Sequence, residues 1–212
     1  MSEQQAKDKH NEALQKIMHA ARDVFAEMGF AGARMDEVAR RAGVNKATIY
    51  YHIGDKKALY AEVIHQVIGD TTDRIAENIR HAATPEDKII AYMQTIAKAM
   101  DMNPQMPPII MREIASGGGN LPDIFVLKDF ARIVGIVKNI LDEGVSLGVF
   151  TETAPLLLHL MIVSTFAVYK MSIPIRKRFE GISNDFLLAD DKLAGPFAAQ
   201  VGEMILKALR GK

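Results

Sequence analysis

Residues 35–52 read MDEVARRAGVNKATIYYH, a pattern that predicts two short helices joined by a tight turn. Val38, Ala39 and Ala42 recur at helical spacing and form a small apolar face on which a second helix can pack closely. Gly43 supplies the turn, because glycine adopts a left-handed backbone without steric strain. Two further apolar residues fill the angle between the helices and anchor the second one: Val44 and Ile49. The stretch therefore predicts a helix-turn-helix.

The second helix of this motif leaves one face free, and its residue types suit contact with DNA. Asn45 can cap the helix, because its side chain can accept a hydrogen bond from the first turn. The residues predicted to approach a major groove are Lys46, Ala47, Thr48, Tyr50, Tyr51 and His52. Phosphate contacts are predicted for Lys46, Tyr50, His52 and Lys56, and base contacts for Thr48 and Tyr51. The alternative is a helical hairpin that is merely structural and lies within an ordinary bundle.

Composition narrows the class of protein. The 212 residues include 26 Lys and Arg, 26 Asp and Glu, 49% hydrophobic residues and no Cys. These counts exclude a disulfide scaffold, a Cys-ligated metal site, a thiol enzyme and a disordered chain. Residues 32–60 carry a net charge of +3, a mild basic patch. The polar N-terminus lacks the apolar core of a signal peptide, so a cytoplasmic location is expected.

Helical periodicity dominates the whole chain and predicts an all-α fold of about nine helices. The predicted helices span residues 11–28, 35–42, 46–52, 55–80, 85–100, 109–116, 122–144, 155–173 and 196–209. Glycine and proline mark most of the breaks between them. We expect a DNA-binding domain at residues 1–55 and a helical effector-binding and dimerisation domain at residues 56–212.

The N-terminal part resembles the tetracycline-repressor-like (TetR) family of transcriptional regulators. The matching residues are Phe25, Ala26, Gly29, Phe30, Val38, Ala39, Ala42, Gly43, Val44, Lys46, Thr48, Ile49, Tyr50, Tyr51, His52, Lys56 and Leu59. The resemblance implies a homodimeric repressor in which helices one to three read double-stranded DNA. A fourth helix would connect them to a ligand-binding, dimer-forming domain.

Three positions depart from the family pattern. Ala33 and Arg34 stand where the family usually has Thr and then Ser or Thr, so Arg34 is predicted to replace a cap and phosphate contact with a charge. Ala47 stands where glycine is common, which affects base contacts. Ile53 replaces the usual Phe, a swap between apolar core residues.

Residues 156–173 are the most apolar stretch of the chain. A membrane span is disfavoured, because His159, Tyr169, Lys170 and several hydroxyl side chains make this stretch polar for a lone transmembrane helix. The resemblance instead implies that this helix and the last one form a four-helix dimer interface. The predicted interface residues are Leu158, Ile162, Phe166, Phe197, Val201, Met204, Ile205 and Leu209.

Five methionines fall between residues 93 and 111, around a proline-rich connector. Flexible thioethers can line an adaptable apolar pocket, although they also serve simply to fill a core. The candidate pocket residues are Met93, Ile96, Met100, Met111, Phe125, Phe130 and His159. Their apolar bias favours a small hydrophobic or amphipathic effector, whose identity the sequence leaves open.

Two signals of other chemistry are discounted. Residues 144–148 match the G-x-S-x-G pattern of serine hydrolases, but a helical pattern precedes Ser146 where that chemistry needs a strand. The six histidines lack metal-ligand spacing, so no catalytic residue, metal or cofactor is predicted. We expect a dimeric repressor that a ligand releases from a palindromic operator; the alternative is a small helical enzyme or ligand-binding protein.

Overall fold

Ten α-helices make up most of the computed structural model, which describes residues 3–123, 125–179 and 191–211. The helices are α1 (Glu3–Gly32), α2 (Met35–Ala42), α3 (Lys46–His52), α4 (Lys56–Arg80), α5 (Pro85–Met102), α6 (Met106–Ala115), α7 (Ala131–Ser146), α8 (Pro155–Met171), α9 (Ile173–Arg176) and α10 (Pro196–Arg210). No strand occurs within the described ranges, so the prediction of an all-α fold is confirmed.

The first three helices form the predicted helix-turn-helix unit. Helix α1 kinks at Gly29, whose φ of 67° is left-handed, at the position where the sequence predicts the end of this helix. Gly43 has a φ of 66° and makes the turn between α2 and α3. Ile49 is fully buried and holds α3 against the core, as predicted.

Helix α4 joins this unit to the remaining helices. Asp55 caps it by accepting a hydrogen bond from the backbone N–H of Ala58 at 2.9 Å. Tyr60, in the first turns of α4, packs edge-on against Phe25 of α1 with ring centroids 4.7 Å apart. The domain boundary at residue 55 stays a prediction. The packing of Tyr60 makes the hydrophobic core continuous from one side of this boundary to the other.

Helix α5 packs against α4, helices α7 and α8 pack against α5 and against each other, and α10 packs against α5. Helix α5 is central, because the side chains of Tyr92, Met93 and Met100 are almost fully buried. This arrangement leaves a cavity between α4, α5, α6 and α8, which is described below.

Four of the predicted helices differ from the structure. Helix α6 begins at Met106 rather than residue 109, because its two prolines lie in the first turn, where no intrahelical N–H donor is needed. Helix α1 begins at Glu3, and a short ninth helix follows Ser172. The predicted helix over residues 122–144 is a π-helical segment, Phe125–Phe130, followed by α7.

Helix α8 is apolar but short, and among the described residues no helix has the length and hydropathy needed to cross a membrane.

Candidate nucleic-acid interface and ligand cavity

Helix α3 presents a face to solvent, as the sequence predicts. Asn45 caps the helix by accepting a hydrogen bond from the backbone N–H of Ala47 at 2.9 Å. Tyr50 and Tyr51 are 48% and 84% exposed, and two large aromatic side chains exposed side by side are typical of a contact surface. Lys46, Thr48 and His52 are half-buried beside them, and Ala47 is exposed.

Each predicted phosphate-binding cation has a different environment. Lys46 Nζ lies 2.9 Å from Asp36 Oδ2, and this hydrogen bond raises the pKa of Lys46. Lys56 Nζ donates to the carbonyl of Ala31 at 3.2 Å and lies over the Phe30 ring. Because an exposed ion pair contributes at most about 1 kcal/mol, a phosphate can replace Asp36 as the partner of Lys46.

Arg34 occupies the N-cap position of α2 but makes no side-chain cap hydrogen bond. Its guanidinium has no ion-pair partner within the described part of the chain, which is compatible with the predicted phosphate contact.

The charge count of the sequence overstates the positive charge near α3. Glu37 accepts hydrogen bonds from Arg40 and Arg41, and these bonds lower the pKa of Glu37 to about 2. Arg41 also forms a bidentate ion pair with Glu27 of α1. Sequence spacing indicates the Glu37–Arg41 pair, but only the packing of α1 on α2 reveals Glu27.

A cavity of about 340 Å³ lies between the helices that follow the helix-turn-helix. The lining residues are Ile64, Ile68, Thr71, Ile75, Ile96, Met100, Met106, Ile110, Glu113, Ile114, Leu121, Phe130, Ile133, His159, Leu160 and Val163. Ile114 and Leu160 are about half exposed and form the rim. The volume and the apolar lining are typical of a small-molecule site.

The structure brings four of the seven candidate pocket residues to this cavity: Ile96, Met100, Phe130 and His159. Met93 is buried but faces α10, where its thioether lies close to Gly202. Met111 packs against the core without lining the cavity. The side chain of Phe125 lies outside the described residues.

Two ionisable side chains lie in the cavity wall. His159 Nδ1 is 2.6 Å from the Tyr92 hydroxyl, and burial lowers the pKa of His159 to about 4. Burial also raises the pKa of Tyr92, so the phenol keeps its proton and donates a hydrogen bond to Nδ1 of a neutral imidazole. Glu113, which sequence reasoning missed, is only 3% exposed. Its signal in the sequence is a lone acid within helix α6, whose residues other than Arg112 and Glu113 are apolar.

Helix α6 also contacts the helix-turn-helix unit directly. Arg112, the neighbour of Glu113, donates hydrogen bonds to the carbonyls of Ala26 and Glu27 of α1 at 3.2 and 2.9 Å. Glu113 accepts a hydrogen bond from Tyr60, which packs on Phe25 of α1. Two paths of direct contact therefore run from α6 to the DNA-binding unit, and one of them starts at the cavity-lining Glu113.

The structure corrects the predicted dimer surface. Five predicted interface residues are buried inside the chain's own core and are not available to a partner: Leu158, Ile162, Phe166, Ile205 and Leu209. Leu158, Ile162 and Phe166 lie on the side of α8 that faces the core. Phe197 and Val201 are partly buried, and Met204 is 66% exposed.

The outward side of α8 carries a second apolar stripe. Its exposed apolar members are Leu157, Leu160, Met161, Val168 and Met171. Ser164 and Thr165 lie on the same side, and each donates its hydroxyl to a carbonyl of α8 itself at 2.6 Å. The stripe therefore presents few unpaired polar groups. We name these five apolar residues the α8 stripe.

The comparisons with known proteins agree with this geometry. The sequence pattern described as "Bacterial regulatory proteins, tetR family" matches residues 17–63, from the middle of α1 into α4. The chain is 28% identical over 127 residues to the HTH-type transcriptional regulator RutR of Escherichia coli, covering 60% of this chain and 56% of RutR. It is 24% identical over 196 residues to the transcriptional repressor NicS of Pseudomonas putida, covering 92% and 91% of the two chains.

Solved structures share the fold at low sequence identity. A tetR-family regulatory protein from Rhodococcus has a TM-score of 0.73 at 17% identity, with 94% of this chain and 98% of that chain covered. FadR from Bacillus subtilis, solved with stearoyl-CoA, has a TM-score of 0.70 at 19% identity, with 92% and 99% covered.

Proposed function

We propose that this chain, which belongs to the tetR family of bacterial regulatory proteins, is a cytoplasmic homodimeric repressor that a small apolar or amphipathic ligand releases from a palindromic operator. The observation that carries the proposal is the exposed outer face of α3, held in place by a buried Ile49 and a capped N-terminus. The runner-up, a small helical enzyme or ligand-binding protein with a structural hairpin, gives no reason for an 84% exposed tyrosine there.

The mode of DNA binding follows from the residue types on α3. Lys46 and Arg34 are suited to phosphates and would supply affinity that depends on salt. Thr48 and Tyr51 are suited to base edges and would supply sequence preference. Two copies of α3 must lie about 34–36 Å apart to enter successive major grooves of one operator.

The proposed response to ligand rests on the cavity and its links to α1. A ligand can bind better to a conformation in which the spacing of the two α3 helices no longer fits the operator. The ratio of its affinities for the two conformations then sets how far operator affinity falls. Arg112 and the Glu113–Tyr60 pair connect the cavity wall to α1, so they are the contacts through which occupancy can alter that spacing. The fatty acyl ligand of the similarly folded FadR is compatible with an apolar effector here.

A salt titration of binding to the DNA upstream of the protein's own coding sequence tests the proposal, with a scrambled duplex for comparison. We expect binding to the first that is at least about a thousandfold tighter. Lys46→Ala should weaken binding to both duplexes and reduce the salt slope by about one, because one phosphate contact is lost.

Lys138→Ala is the matched control, because Lys138 is also an exposed lysine paired with an aspartate, but on α7. Thr48→Ala and Tyr51→Ala should change which bases are preferred. If Lys46, Thr48 and Tyr51 variants all bind DNA as the wild type does, α3 is not the recognition helix.

A further inference from the structure

Glu113 is a buried carboxyl with one oxygen unused. Its Oε1 accepts a hydrogen bond from the Tyr60 hydroxyl at 2.8 Å and a longer one from Asn120 Nδ2 at 3.4 Å. Its Oε2 is buried and has no hydrogen-bond partner among the described residues. A buried acceptor without a donor destabilises the fold, and more so when it is charged. A ligand that supplies a donor removes this cost.

The rest of the cavity wall provides no cation for this carboxyl. Its other polar lining residues are Thr71 and His159, and the ring of His159 is neutral and already bonded to Tyr92. The neighbouring Arg112 reaches the carbonyls of α1 instead. The remaining lining side chains are hydrophobic, so an occupant must be largely apolar.

Tyr60 fixes which oxygen remains for a ligand. Burial, together with the hydrogen bond to Glu113, raises the pKa of Tyr60, so its phenol keeps its proton and stays a donor. Oε1 is therefore occupied by Tyr60, and Oε2 is the acceptor that remains. A protonated amine matches Oε2 in charge and in hydrogen bonding, whereas a carboxylate or phosphate would meet a like charge.

We propose that the cavity takes an amphipathic organic amine, whose protonated nitrogen donates to Glu113 Oε2 while its apolar body fills the space lined by isoleucine, methionine and Phe130. This inference rests on the proposed function in taking the cavity as the effector site. It adds the chemical class of the effector.

Three ten-carbon probes that differ only in their headgroup test the inference: decylammonium, decanol and decanoate. Binding to the full-length protein without DNA is measured by titration calorimetry below the micelle concentration. We expect decylammonium to bind about tenfold or more tighter than decanol, as a charge-assisted hydrogen bond gives, and decanoate to bind more weakly than decanol.

Glu113→Gln should abolish the preference for the amine and leave decanol binding within about twofold, since the amide keeps the size of the side chain. Glu152→Gln, a substitution of an exposed glutamate outside this cavity, should leave all three affinities unchanged.

Equal affinities for the three probes, or tighter binding of decanoate, would overturn the inference. The wild-type series alone distinguishes these outcomes, even if Glu113→Gln does not fold. Because the titration contains no DNA, a protein that binds the amine but no operator refutes the proposed function alone. A protein that binds its operator but not the amine refutes the inference alone.

Discussion

His159 shows how burial fixes the chemistry of a single side chain. The imidazole lies in an apolar wall and accepts a hydrogen bond from Tyr92, so the protonated form has no partner there. Its pKa of about 4 in the folded protein is below the ordinary value of 6.5. Folding therefore favours the neutral ring. Above pH 6.5 the ring is neutral in the unfolded chain as well, so His159 lowers the unfolding free energy only below that pH.

The pH dependence of unfolding tests this environment. As the pH falls from 6.5 to 4, the unfolded chain takes up a proton that the folded chain does not, so the wild type loses up to about 3 kcal/mol of unfolding free energy from this residue. His159→Gln removes that loss, and urea denaturation at several pH values should show a shallower decline.

His65→Gln serves as a control of opposite sign. The hydrogen bond to Asp129 raises the pKa of His65, so the stability that His65 provides is nearly complete below pH 6.5, and removing it should lower the curve between pH 6.5 and 4 without changing its slope. If wild type and His159→Gln have parallel curves between pH 6.5 and 4.5, the ring of His159 is not buried in its neutral form.

Helix α6 is the element that joins the two candidate sites. Arg112 forms a forked hydrogen bond to two carbonyls at the end of α1, just before the kink at Gly29. The guanidinium ties the C-terminal part of α1 to α6 through two backbone carbonyls. A displacement of α6 would therefore strain or move the C-terminal part of α1.

Arg112→Met should weaken this coupling while leaving both sites intact. We expect operator affinity and ligand affinity to change little, but the factor by which saturating ligand weakens operator binding should fall by about tenfold. Fluorescence anisotropy with labelled operator measures that factor, using the ten-carbon probe that binds most tightly. Lys98→Met, on the exposed side of α5, is the control. An unchanged factor in Arg112→Met would show that the coupling runs elsewhere.

Elements that rest on local patterns could be predicted from the sequence, and contacts between distant residues could not. The turn at Gly43 and the cap at Asn45 depend on residues two or three positions apart, so the sequence predicts the helix-turn-helix. The Glu27–Arg41 pair spans 14 residues and depends on how α1 crosses α2. The role of Glu113 could not be predicted, because periodicity shows a polar residue in an apolar helix without showing which neighbour satisfies it.

The inner and outer sides of α8 could not be separated from the sequence either, because the helix is apolar on both. The phase that buries Ile162 leaves Met161 about half exposed. An apolar stripe exposed on this helix, with its hydroxyls bonded internally, suits a self-complementary contact between two copies of the chain. We therefore propose the α8 stripe as the location of the predicted dimer contact.

Met161→Glu should convert the whole molecule to a monomer, because burying an unpaired charge in an interface costs about 3–5 kcal/mol. Sedimentation equilibrium should report this change, and affinity for a complete palindrome should fall towards that for a half-site. Leu147→Glu places the same charge at another exposed apolar residue, beyond the end of α7, and should remain dimeric. A dimeric Met161→Glu protein would place the interface on a different surface.

Arg112 and Glu113 are consecutive residues that serve different ends of the molecule, since one residue of an α-helix turns the next side chain by about 100°. Arg112 contacts α1 without lining the cavity, whereas Glu113 both lines the cavity and bonds Tyr60. Substitutions of the lining residues other than Glu113 can therefore redirect the protein to a new inducer while both contacts to the DNA-binding unit are kept. A library confined to those residues is a starting point for building sensors that share one output.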